Sequence, residues 1–114
     1  MSEKRLNQVN QLILKEVAEL LLKEVEFPLG CLVTVIKVKT SADIAHAKVY
    51  ISVLPVSQTG TVLKILAKNV YHLQQCLNRR MFRRIVPKII FTVDSTEEEA
   101  ARVEALIDKI SEES

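Results

Sequence analysis

"CLVTVIKVKTSADIAHAKVYISVL", residues 31–54, decides the fold. Its first part, "CLVTVIKVK", is rich in β-branched residues, which suit a pleated backbone. Its last part, "AHAKVYISVL", sets Ala47, Val49, Ile51 and Val53 against Lys48, Tyr50 and Ser52. A period of two means one face is apolar and the other polar. Two such runs joined by the polar "TSADI" predict an antiparallel hairpin. The apolar face of that hairpin must be covered, and the rest of the chain has to supply the cover.

On the N-terminal side, residues 5–26 have the spacing of an amphipathic helix. Leu6, Val9, Ile13, Val17, Leu20 and Leu21 make the stripe, and Leu14, Ala18 and Val25 widen it. Lys15, Glu19 and Lys23 are spaced for an i,i+4 ladder on the other side. "FPLG", residues 27–30, stops this helix, because Phe27 precedes a proline and Gly30 permits a turn. On the C-terminal side "PVSQTG" is a loop. From Thr61 the helical period returns through Leu63, Leu66, Val70, Leu73, Leu77 and Met81. Pro87 ends that segment, and "KIIFTVD" predicts a third strand. A last helix is expected from Asp94 onwards. Ser95 with Glu98, or Thr96 with Glu99, fits a capping box, and Ala100, Val103, Ile107 and Ile110 give its apolar face.

These elements make an α+β domain with a three-stranded sheet packed against helices. A chain of 114 residues buries one core, and no repeat or linker divides it, so residues 1–114 are expected to form a single domain. The predicted core includes Val9, Ile13, Leu20, Val49, Ile51, Leu66, Val70, Leu73 and Ile90. The start "MSEKRLNQVN" is polar, with no signal peptide, and no apolar run approaches the roughly 18 residues of a membrane span. Cys31 and Cys76 lack CxxC spacing. The expectation is a cytoplasmic monomer with reduced thiols and no membrane association.

Charge is distributed unevenly. The net formal charge is only +2, yet between Asp43 and Asp94 there is no acid and there are eight bases: Lys48, Lys64, Lys68, Arg79, Arg80, Arg83, Arg84 and Lys88. At about 100° per residue, Lys64, Lys68, His72, Gln75, Arg79 and Arg83 line one face of the long helix, nearly opposite its apolar stripe. Arg80 and Arg84 flank that ridge, and Lys88 continues it past Pro87. A solvated helix tends to mix signs, so a ridge of one sign points to a polyanion, with nucleic acid the obvious one. Arginine forks grip phosphate oxygens in pairs. Aromatic residues are few, which favours backbone and shape recognition over base stacking. The rival reading is a protein-interaction module that docks an acidic partner on the same ridge.

"GCLVTVIKVKTSADIAHAKVYISVL" and "LNRRMFRRIVPKIIFTVDSTEEEAARVEALI" resemble, in the same order, segments of the ribosome-binding factor A family. The resemblance implies a KH-like domain of type II with α-β-β-α-α-β topology and a C-terminal helix. It implies a non-enzymatic assembly factor that binds ribosomal RNA of the small ribosomal subunit and assists its late maturation and rRNA processing. It also implies a kink between two helices at an Ala-x-Gly motif. Ala67, Lys68 and Asn69 stand at that motif here, with asparagine in place of glycine. A bend or break is therefore expected near Asn69, and Asn69 joins the ridge as a candidate RNA contact.

No enzyme is expected. The chain has no activated nucleophile signature, no Gly-rich phosphate loop and no paired carboxylates suited to acid–base work, and the run Glu97–Glu99 is explained by helix capping. His72 and Cys76 lie one helical turn apart, as two metal ligands could. Cys31 and His46 are the only other soft donors, so neither a metal nor another cofactor is expected.

Overall fold

The computed structural model describes residues 2–82 and 84–94. Helix α1 (Glu3–Glu24) is followed by strands β1 (Leu32–Thr40) and β2 (His46–Leu54). A short 3₁₀ turn (Val56–Gln58) leads into helix α2 (Thr59–Arg80), and strand β3 (Lys88–Val93) follows. The expected C-terminal helix lies outside the described residues.

The sheet order is β1-β2-β3, with β1 and β2 antiparallel and β2 and β3 parallel. The parallel pairing follows from the connection. A 22-residue helix between β2 and β3 carries the chain back along the sheet, so β3 starts from the same end as β2. Ser41 organises the hairpin turn: its Oγ accepts from the N–H of Ala45 and of His46, and it donates to the Asp43 carboxylate at 2.7 Å. Ile44 in this turn has φ 58°, the left-handed region, and its side chain is buried. A β-branched residue there is strained, and its burial offsets the strain.

Both helices pack on one face of the sheet, α1 on β1 and α2 on β2 and β3. The alternation read from β2 holds: Ala47, Val49, Ile51 and Val53 are buried, while His46 and Lys48 are exposed. They meet Ile13, Val17, Leu20 and Leu21 of α1 and Val62, Leu66, Leu73 and Leu77 of α2 in one core. Val9 and Val70, expected inside, are half-buried against that core. In β1 the pairing skips Ile36, a bulge that puts Lys37 opposite Tyr50 and Val38 opposite Val49.

Two expectations are corrected. Ile90 is 42% exposed and is not in the core; its neighbour Ile89 is buried opposite Ala47. The pleat admits only one of two adjacent isoleucines to the inner face. Second, α2 runs unbroken from Thr59 to Arg80, so the expected pair of helices is one helix and the break at Asn69 is absent. Asn69 Nδ2 donates to the Ile65 carbonyl at 2.8 Å, one turn back. That bond keeps the side chain against its own helix. The propensity cost of asparagine is about 0.7 kcal/mol against about 1 for glycine, and Leu66 and Leu73, buried on either side, outweigh it.

Candidate nucleic-acid interface

Helix α2 has no acidic residue along its length, and its exposed side carries Lys64, Lys68, His72, Gln75 and Arg79 as the spacing predicts. Asn69 is half-buried beside them. Arg84, just past the helix, is exposed, whereas Arg83 lies outside the described residues. The α2–β3 side of the ridge borders a shallow groove lined by Leu63, Ala67, Val70, Ile90 and Lys88.

The neighbouring helix changes the electrostatics of the ridge. α1 brings three carboxylates to its C-terminal half. Arg80 donates to Glu16 at 2.9 Å and to Glu19 at 2.7 Å. His72 lies 3.0 Å from Glu24. Donation from Arg80 holds the Glu19 carboxyl below its usual range, and the His72 contact does the same to Glu24. The Arg80 guanidinium is held charged by Glu16 and then Glu19. The ridge is thus acid-free in sequence but not in space. Among the described residues Lys64, Lys68, Arg79 and Arg84 have no carboxylate within ion-pair distance, while His72 and Arg80 do.

Lys88 stands across that shallow groove from the ridge. It opens β3, pairs in register with His46 and points to the face of the sheet away from the helices. Gln74 fixes this junction, accepting from the N–H of Ile89 at 2.9 Å and donating to the carbonyl of Pro87 at 3.1 Å. Nothing in the sequence period singles out Gln74, since its work is to bond backbone fifteen residues away.

Cys76 is buried and accepts from Arg79 Nη2 at 3.4 Å; its sulfur lies 3.6 Å from His72 Nε2. With Glu24, which sequence reasoning did not include, His72 and Cys76 bring three donor atoms within 4.8 Å of one another. Cys31 and His46 do not join this group among the described residues. The Arg79 guanidinium already sets a positive charge beside the sulfur, and the Glu24 carboxylate is in use by His72. The arrangement works as a polar clasp between α1 and α2.

Of the surfaces described, the exposed side of α2 is suited to phosphate: its Lys64, Lys68 and Arg79 stand in line on one unbroken helix with no carboxylate within ion-pair distance among the described residues. The comparisons give the family and the fold. The family model described as ribosome-binding factor A matches residues 5–107. A ribosome-binding factor A from Thioalkalivibrio sulfidiphilus is 40% identical over 106 residues, 92% of this chain and 82% of that one. One from Nitrosococcus oceani is 36% identical, over 92% of this chain and 84% of the other. The crystal structure of ribosome-binding factor A from Thermus thermophilus superposes with a TM-score of 0.66 at 23% identity, over 75% of this chain and 91% of that one. A homology model of the Thermus thermophilus factor, fitted into a cryo-EM map of a 30S complex, gives a TM-score of 0.64 at 25% identity, over 75% and 90% of the two chains. The fold is therefore α+β and KH-like.

Proposed function

Because the chain belongs to the ribosome-binding factor A family, we propose that it is a non-enzymatic assembly factor for the small ribosomal subunit. In this reading it binds ribosomal RNA as a monomeric KH-like domain spanning residues 1–114 and assists late maturation and rRNA processing. Support comes from the homologues, whose name states ribosome binding, and from the 30S complex of the Thermus thermophilus factor. The cytoplasm is the compartment such a partner implies, and no helix among the described residues is long and apolar enough to cross a membrane.

The observation that carries the reading is the row of cations on the exposed side of α2 that have no carboxylate within ion-pair distance among the described residues. Lys64, Lys68 and Arg79 are held in line by an unbroken helix, and Arg84 follows them. We assign these to phosphate contacts, together with Arg83. Asn69 sits at the rim of the row. His72 and Arg80 are weaker candidates, because RNA would have to displace Glu24, Glu16 and Glu19 to reach them. Lys88 belongs to a different face.

Co-sedimentation tests the function. The protein is expected with free small subunits and not with complete ribosomes. Equal recovery in both fractions, or in neither, overturns the assignment.

A further inference from the structure

We propose that the outer face of the sheet is a second RNA-backbone surface, pointing away from α2, so that the domain lies between two RNA segments. This rests on the RNA-binding reading above and adds a site to it. α1 and α2 both cover the inner face, so the outer face is the opposite side of the domain from the exposed side of α2.

The residues there are set by register. Lys39 of β1 stands directly opposite Lys48 of β2. Lys37 stands opposite Tyr50, its ammonium 4.7 Å from the ring centroid. His46 pairs with Lys88, and Lys48 with Ile90. Toward the other end the face turns apolar, with Leu32 and Leu54 paired and exposed. None of the outward residues of the three strands is acidic. The nearby acid Asp43 is held in the turn by Ser41 and by the N–H of Ala45.

Lysine on edge strands commonly guards against strand-to-strand aggregation. That accounts for Lys37, Lys39 and Lys88. It does not account for Lys48, which lies on the central strand. Like charges directly opposed across antiparallel strands work against the sheet, and Lys39 and Lys48 have no carboxylate within ion-pair distance among the described residues. A phosphate between them relieves the repulsion. The contrast with α2 is informative: there α1 supplies carboxylates to two of the cations, whereas here no carboxylate lies within ion-pair distance of the lysines among the described residues. Phosphate-backbone contact, more than base stacking, is the chemistry offered, since Tyr50 and the imidazole of His46 are the aromatic rings facing outward on the described strands and Lys37 covers the ring of Tyr50.

The test uses the full chain and a fluorescent RNA hairpin, with affinity measured against salt. Lys39→Ala with Lys48→Ala is compared with Lys64→Ala with Lys68→Ala. All four side chains are exposed, and melting curves confirm that both variants fold. Each phosphate contact contributes roughly 0.7 to 0.9 to the slope of log affinity against log salt. Both pairs should therefore flatten the slope by up to about two contacts' worth. Wild-type protein should also capture the labelled hairpin on beads carrying an unlabelled one, and the Lys39, Lys48 variant should lose that capture. If only the Lys64, Lys68 variant changes slope, the sheet face is overturned and the RNA reading stands. If neither changes, the sheet face is overturned, and if Arg79→Ala with Arg84→Ala also leaves the slope unchanged the RNA reading itself fails. An unchanged slope with lost co-sedimentation assigns the sheet face to a ribosomal protein and overturns the RNA contact, and failure of the wild type to capture overturns the two-segment arrangement.

Discussion

Arg80 donates to two carboxylates of α1, while Arg79, its neighbour in sequence, donates to a thiol sulfur and leaves its charge without a carboxylate among the described residues. Two adjacent arginines thus have different work, and substitution separates them. Arg80→Ala should lower the urea midpoint and leave the salt slope of RNA binding nearly unchanged. Arg79→Ala should leave the midpoint nearly unchanged and flatten the slope by roughly one contact, about 0.7 to 0.9. The reverse pattern would exchange their roles. The same clasp makes a pH prediction. Glu19 and Glu24 have folded-state pKa values below the ordinary carboxylate value, from the Arg80 and His72 contacts respectively. The unfolded chain takes up protons at the ordinary value, about 4.3 for Glu, and the folded chain only at lower pH. Their contribution is complete above the ordinary value and is lost as pH falls through the folded values. Asp43, lowered by its Ser41 hydrogen bond and then by the Ala45 N–H, acts in the same direction. Denaturation midpoints should fall with acid below about pH 4.5, and Glu19→Gln should flatten that acid limb. An unaltered limb would mean that the Glu19–Arg80 bridge adds nothing. In the core, Leu73 is 1% exposed, and Leu73→Ala should cost about 2–5 kcal/mol of unfolding free energy. A loss below about half a kilocalorie would put that helix face outside the core.

Elements differ in how far their sequence determines them. The hairpin was legible because both determinants are local: the two-residue period of residues 46–54 and the polar turn before it. The inner side of β3 was not legible, because "KIIF" offers isoleucine to either face and only the register with Ala47 chooses Ile89. The ion pairs of Arg80 with α1 were not legible either. Glu16 and Arg80 are 64 residues apart, and no periodicity connects them. At α2 the misleading signal was Asn69, which suits a break by propensity but bonds back to Ile65 within a continuous helix. An unbroken helix makes a definite prediction at that position. Asn69→Ala should raise stability by a few tenths of a kcal/mol, and Asn69→Gly should lower it slightly, in line with helix propensities. Urea titration with unchanged m-values checks both. Stabilisation by glycine would mean that residue 69 is under backbone strain and that α2 tends to break there.

At the scale of the whole molecule the charges form blocks along the chain. Residues 44–93 hold eight bases and no acid, and residues 94–114 hold eight acids and two bases. Folding divides the basic block between the exposed side of α2 and the outer side of the sheet, and α1 neutralises part of the first. The acidic block follows β3 directly, so its charge is tethered to the domain whatever its conformation. A tethered acid repels phosphate within about a Debye length, roughly 8–10 Å at physiological salt. It is expected to weaken poses that bring RNA to the end of β3. Neutralisation of Glu98, Glu99 and Glu104 to glutamine should then raise affinity for an unrelated RNA hairpin at low salt and lose that gain at high salt. On the small subunit the same variant should broaden the chemical footprint, because orientations formerly penalised become available. If the footprint keeps its wild-type positions and width, the acidic block does not orient the domain, and the contacts of the two basic faces are enough to define the pose.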